Sequence, residues 1–330
     1  TRGMKGEKMK PAQTIEMLGD FQAKMTQPNF KEVLRYQISN IVEKQGWKND
    51  KLKIANESVE YIAHYSKNLI PYLVKDEMTN LIIHASKMLD KDDVIDLDLL
   101  PSKEGFVEFE KPLEIYDVRG HLLLIHYFVW MSYENTLVIL AFNDQYKCPD
   151  MIAEQAKSLS SDKKYWDFYS TAVGRWGYVG LLKTDVGDTI GAEQIEYPEY
   201  VKQTYLENHG VEIGTSTNAL RLFHTYLLLM SQSIVAVSKE RAEKKDAKRL
   251  ERAKLPSEIT VVQFRKTKYT GSGSSSGKEI DWSHRWLVGG HWRWQPYKDN
   301  TKKRIWIAPY VKGPEDKPLV MKDKVYVLAK

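Results

Sequence analysis

The chain has 330 residues, of which 42% are apolar, 11% aromatic and 28% charged, a composition that excludes a disordered, fibrous or disulfide-stapled molecule. A net charge of +5 is too small to announce a nucleic-acid binder, so where the charge sits matters more than its total. The single cysteine, Cys148, excludes an internal disulfide and a cysteine-based zinc site, and a reducing compartment is the expectation.

Residues Thr1 to Lys8 are polar and no signal-peptide core follows, so a cytoplasmic chain is expected. Phe30, Val33, Leu34, Ile38, Ile41 and Val42 recur at helical spacing after Pro28. A second helical stretch runs from Val59 to Leu89, and Pro71 should end or kink it. Asp90, Asp92, Asp93, Asp96 and Asp98 then crowd a short connection. They lack the glycine and closing glutamate of a calcium loop, so they read as a solvated acidic turn.

From Gly105 onward β-branched and aromatic runs predict an antiparallel meander: Phe106 to Phe109, Leu113 to Tyr116, Leu122 to Trp130 and Thr136 to Phe142, with a turn at Asp117 to Gly120. Tyr178 to Leu182 adds a strand. His121 and His126 lie in an apolar run and read as packed sheet histidines. Tyr200 to Asn208 and Ser216 to about Ala253 are helical in pattern. The second of these changes character midway. Ala219 to Val237 is core-like, and its Arg221, His224 and Gln232 weigh against a membrane span. Its basic half, with Arg241, Lys244, Lys245, Lys248, Arg249 and Arg252, spreads charge around the helix and suits either a solvated surface or contact with RNA or a ribosome.

A strand follows over Ile259 to Lys268, then a Gly/Ser tether at 271–277. The chain therefore divides into a helical region over residues 1–100, an antiparallel sheet with a long helix over 101–258, and a basic, aromatic, β-rich module over 259–330. The fold class is α+β.

The third segment carries the chemistry. Five of the nine tryptophans fall there, and from Arg265 onward 15 Lys or Arg face 6 Asp or Glu. Trp292 to Gln295 and Arg304 to Ile307 alternate as two hairpin strands around a turn at Lys298-Asp299-Asn300-Thr301, with basic or polar side chains on one face and aromatic ones on the other. Cations beside stacking rings are what single-stranded nucleic acid needs, which marks His284, Arg285, Trp292, Arg293, Trp294, Tyr297, Lys302, Lys303, Arg304 and Trp306 as candidate RNA contacts. The same residues suit a metal-independent endoribonuclease, with His291 as acid or base and Arg293 or Arg304 stabilising the phosphorane charge. A third reading is a structural hairpin whose tryptophans are core. No phosphate-loop, dinucleotide-binding, serine-hydrolase or zinc-protease motif occurs, so no cofactor or metal is expected.

Gly290-His291-Trp292-Arg293, followed by Arg304 to Pro314, resembles a C-terminal module of uncharacterised phage and plasmid proteins, among them a type V-A anti-CRISPR family acting on production of the Cas nuclease. The middle region is similar through Leu100-Pro101-Ser102, Gly105-Phe106-Val107 and Glu110-Lys111-Pro112-Leu113, so the resemblance covers roughly residues 75 to 145 and 280 to 328. It implies a phage-derived, non-membrane protein that engages a nascent Cas nuclease polypeptide or a ribosome–mRNA complex and lowers the nuclease's mRNA.

Overall fold

The computed structural model describes residues 9–44, 50–90, 93–116, 122–134, 136–148, 171–185, 219–265, 285–308, 310–312 and 319–320. Expectations for the turn at 117–120, His121, the helix at 200–208 and the tether at 271–277 lie outside them.

Pro11 opens helix α1 (Pro11–Lys24) where its missing N–H has no helical bond to lose, and Ala12, Ile15, Leu18 and Phe21 form the buried stripe. Pro28 opens α2 (Pro28–Lys44) in the same way, and Phe30, Val33, Leu34 and Ile38 are buried as their spacing predicts. Helix α3 (Lys51–Tyr65) buries Ala55, Val59 and Ile62.

Pro71 neither ends nor kinks a helix. It lies inside a strand, β1 (Ile70–Val74), set between α3 and α4 (Asp76–Ser86). Proline is tolerated because it is the strand's second residue, and pairing to the neighbour β7 (Glu258–Phe264) starts only at Tyr72.

The expected meander is present as β2 (Glu104–Tyr116), β3 (Leu122–Tyr133), β4 (Thr136–Asp144) and β5 (Trp176–Asp185), all antiparallel. The sheet as a whole is mixed, not wholly antiparallel. Strand β1 runs parallel to both β2 and β7, and β6 (Val235–Arg241) closes the order β5-β4-β3-β2-β1-β7-β6. Parallel neighbours need a crossover, and α4 supplies it between β1 and β2. Strands from all three sequence segments thus share one seven-stranded sheet, and the class is α+β.

The long helix expected over 216–253 is instead α5 (Ala219–Met230), strand β6 and α6 (Lys244–Arg252). Helical periodicity stops at Met230. Val235 and Val237 then alternate with Ala236 and Ser238, and a period of two with β-branched residues favours a strand that pairs with β7 over seven registered positions. Among the described residues no helix is long and apolar enough to cross a membrane.

Helices cover both faces of the sheet. Helices α1 to α3 pack on Phe106, Tyr127, Val129, Leu140, Phe142 and Trp176. On the other face α4 and α5 pack on Val107, Phe109, Phe128, Trp130, Ile139 and Ala141. Gly105 is required by close approach: a Cβ there would stand 2.0 Å from the buried Trp130 ring.

Candidate nucleic-acid interface

The tail forms β8 (Arg285–Val288), β9 (His291–Pro296), β10 (Lys302–Ile307), β11 (Tyr310–Lys312) and β12 (Leu319–Val320). Strands β9 and β10 make the expected antiparallel hairpin. Its turn is built as the residue types require: the Asp299 carboxylate accepts from the Thr301 N–H at 3.1 Å and its hydroxyl at 2.7 Å, while Asn300 takes a φ of 62°. Those two bonds to the charged form lower the Asp299 pKa.

The register pairs Trp292 with Trp306 and Trp294 with Arg304, which puts these four side chains on one face. Arg293 pairs with Ile305, Gln295 with Lys303 and His291 with Ile307 on the other. Arg304 therefore corrects the expected separation of basic from aromatic residues, because it stands among the tryptophans.

That face docks on the main core. Trp292 is 8% and Trp306 7% exposed, their rings meet edge to face at 5.2 Å, and both join the cluster formed by α4 and α5. The Trp292 indole N–H donates to the Ala85 carbonyl at 2.9 Å, near the end of α4. Gln232 acts like a neighbouring strand: its amide N–H donates to the Arg304 carbonyl at 3.2 Å and its amide oxygen accepts from the Trp306 N–H at 3.0 Å. Arg221, from α5, closes the same helix end by donating to the Ser86 carbonyl at 3.2 Å and to that of Leu89.

Arg304 completes the docking. Its side chain is 8% exposed, donates to the carboxylates of both Asp90 and Asp93, and lies 4.7 Å from the Trp294 ring centre. Burial pushes the Asp93 carboxyl above its usual range, against the downward pull of Arg304. Two expectations change. Asp93 is the buried counter-ion of a buried arginine and not part of a solvated turn, whereas Asp90, bonded to the same guanidinium, stays exposed with Asp96 and Asp98, and Arg304 is committed to both carboxylates and not displayed for phosphate. Asp92 lies outside the described residues.

The opposite face stays open. His291, Arg293, Tyr297 and Lys303 are exposed, with Lys302 beside them at the turn. Tyr297 is 46% exposed and the Lys303 ammonium lies 5.8 Å from its ring centre. Arg293 donates to Gln295 Oε1 at 2.6 Å, and His291 Nδ1 lies 3.1 Å from the Gly289 carbonyl oxygen. Trp294, on the docking side, is 52% exposed at the hairpin edge. Of the candidate RNA contacts, then, Arg293, Trp294, Tyr297, Lys302 and Lys303 reach solvent while Trp292, Arg304 and Trp306 are core. Arg285 places its backbone in β8, and His284 lies outside the described residues.

Sequence reasoning missed Ala85, Gln232, Asp90 and Asp93 as partners of the tail, because nothing local links Gln232 to residues 72 and 74 positions on, or the other three to residues 207 to 214 positions on. It also missed a buried polar cluster beneath α1. Asp144 accepts from the Tyr127 phenol at 2.9 Å and meets Arg175 Nε at 3.5 Å, while the Lys147 ammonium bridges Asp144 at 3.7 Å and Glu108 at 3.3 Å. Burial raises the Glu108 pKa. His126 is a packed sheet histidine whose Nδ1 accepts from the Asp144 N–H at 3.1 Å, and burial pushes its pKa down to about 4. The Cys148 thiol donates to the Asp144 carbonyl at 3.0 Å, and burial raises it to about 11, far from a reactive thiolate. Both carboxylates are closed to solvent, so the cluster ties the interiors of β2 and β3 to the end of β4 and the start of β5 under α1 and offers no open site. Among the described residues no group of three His, Cys, Asp or Glu could hold a metal ion.

No known protein family matches the chain, and no curated protein matches it.

Proposed function

We propose that this is a cytoplasmic binding protein whose β9–β10 hairpin holds single-stranded RNA on its open face. One observation carries the reading: while Trp292, Arg304 and Trp306 are used in docking, the other face still displays His291, Arg293 and Lys303 along the hairpin, with the exposed ring of Tyr297 next to Lys303 at the turn end. Cations spaced along a strand can neutralise successive phosphates, and a ring at the end of their row gives a base a stacking surface that is indifferent to sequence.

The resemblance of the tail to the type V-A anti-CRISPR module supplies a cellular setting. In that setting the RNA is the mRNA of a Cas nuclease engaged at a ribosome, with or without the nascent polypeptide, and binding lowers production of the nuclease. The endoribonuclease reading has less support, because of the two arginines it assigns to phosphorane charge, Arg304 is bonded to Asp90 and Asp93 and Arg293 alone stays on the face of His291.

The test is fluorescence anisotropy with labelled single-stranded RNA across a salt series, with the same samples run on a gel in EDTA. Arg293→Ala/Lys303→Ala should weaken binding and lower the slope of log K against log salt by about 1.4, two single-strand phosphate contacts at roughly 0.7 each. Binding that ignores salt and both substitutions sinks the proposal, and RNA cleavage abolished in His291→Ala would replace it with the nuclease. Loss of a co-expressed Cas nuclease and its mRNA, dependent on Arg293, is the corresponding cellular result.

A further inference from the structure

A second basic surface is not used by the hairpin reading. Residues 239 to 254 hold eight Lys or Arg against four Asp or Glu, so the chain carries two basic segments on an otherwise acidic remainder. Helix α6 is fixed as a platform: Ala247 and Leu250 are buried with Ile15, Leu73, Ile259 and Val261, and Arg249 pairs with Glu16 of α1 and with Asp246. Lys244, Lys248 and Arg252 recur every four residues on the side away from that core, which spaces them about 6 Å apart along the axis. Lys245 adjoins them. Among the described residues none of these four has a carboxylate partner, although Glu243, Asp246 and Glu251 are near in sequence, and all three are paired elsewhere, Glu243 with Lys10, Asp246 with Arg249 and Glu251 with Arg241. A helix stabilised only by its own surface pairs would use those acids on its lysines.

The route from the hairpin to this helix is also basic. Gln232, which holds the backbone of Arg304 and Trp306, stands three residues before β6, and β6 is the last of the described strands of its sheet. Val237, Lys239 and Arg241 alternate outward along it on the face that carries the hairpin, and after Arg241 the chain rounds the sheet edge through Ala242 and Glu243 into α6, which packs on the opposite face against Ile15 and Val261. Seven strand residues span about 23 Å. At the hairpin end Arg265 is exposed and donates to the Val235 carbonyl at 3.5 Å.

Resting on the RNA reading above, we infer that a single strand of RNA leaving the hairpin follows the β6 edge and is held by its phosphates on α6, through Lys239, Lys244, Lys248 and Arg252. The chemistry of this second contact is cations without rings. The described α6 surface offers no aromatic side chain, so it binds backbone charge and reads no base. A path of this length suits a strand of roughly ten nucleotides, within the about 4 to 16 covered by compact single-strand sites.

The test compares a labelled 5-nucleotide and a labelled 15-nucleotide oligouridine on the full chain, wild type against Lys244→Gln/Lys248→Gln/Arg252→Gln. The wild type should bind the longer strand at least tenfold more tightly. The triple variant should lose most of that advantage, with its salt slope on the long strand lower by about 2, and should hold the short strand unchanged. An unchanged long-strand affinity and slope, or equal loss on both lengths, overturns the track and leaves the hairpin reading standing. Failure of the wild type to bind either length overturns both. Capture of a poly-glutamate peptide by α6 in preference to RNA would make it a protein-docking surface and likewise overturn the track. The substituted side chains are exposed, so circular dichroism should match the wild type, and Lys239→Gln alone gives a milder, independent reduction on the long strand.

Discussion

The indole of Trp292 donates to the carbonyl of Ala85 at 2.9 Å across 207 residues of sequence, and this bond joins the basic tail to the end of α4. A buried indole needs an acceptor, and the Ala85 carbonyl, which also accepts from the Met88 N–H at 3.1 Å, offers its second lone pair at the end of the helix. The most tryptophan-rich stretch of the chain is in this way largely a docking device.

Trp292→Ala should destabilise the protein by about 3 to 5 kcal/mol through lost packing and an empty cavity. Trp292→Phe keeps most of the packing and removes only the indole bond, since the Ala85 carbonyl still accepts from the Met88 N–H at 3.1 Å, for a smaller loss of about 0.5 to 1.5 kcal/mol. Denaturant unfolding checks both, and a pair of variants indistinguishable from wild type would show that the indole is not docked.

Arg304→Ala should destabilise by about 3 to 5 kcal/mol, because Asp93 is left buried without its guanidinium. Arg304→Lys should recover little, since an ammonium has no planar fork to reach both carboxylates while lying against the Trp294 ring. Any loss of RNA binding in these variants should track the unfolded fraction. Weaker binding by a fully folded Arg304→Lys would return Arg304 to the interface.

Tyr297→Ala should weaken RNA binding by about 1 to 3 kcal/mol, the range for one stacked base, with little change in the salt slope. Arg293→Ala should do the reverse, altering the slope most. Stability should hold in both, because neither side chain is buried. A Tyr297→Ala protein that binds like wild type removes stacking from the account.

Acid should destabilise the fold through His126 and His224, whose pKa values burial pushes down to about 4. Unfolded histidine titrates near 6.5, so between 6.5 and 4 the unfolded chain binds protons that the folded chain refuses, and stability falls as pH falls. From pH 7 to pH 5 each contributes a loss of about 2 kcal/mol. Glu108 and Asp93, raised by burial, act in the opposite sense above pH 4.5. The readout is therefore the difference between wild type and His224→Gln, measured by urea unfolding at both pH values. Identical pH dependence in the two proteins would clear His224 of this role.

Gly105→Ala should destabilise by roughly 1 to 3 kcal/mol or more, because the new methyl meets the Trp130 ring and that ring has no empty space to enter. Trp130→Phe in the same chain should relieve part of the loss. Absence of any interaction between the two substitutions in a double-mutant cycle would contradict the packing.

Local pattern alone determined much of this molecule. The helical spacing of Phe30, Val33, Leu34 and Ile38, the β-branched runs of the meander, the hairpin turn at Lys298 to Thr301 and the buried state of His126 all follow from side-chain period and residue type, which act over a few residues and need no partner. What only the tertiary structure decided is where each face goes. Pro71 joins a strand because α4 returns the chain beside it, and Val235 to Arg241 leaves the helix because β7 offers a partner. Arg304 and Arg293 are the same residue type on facing strands of one hairpin. One is core and the other is surface because Asp90, Asp93 and Ala85 sit under a single face, and an alternating sequence contains nothing that says which of its two faces will meet the rest of the protein.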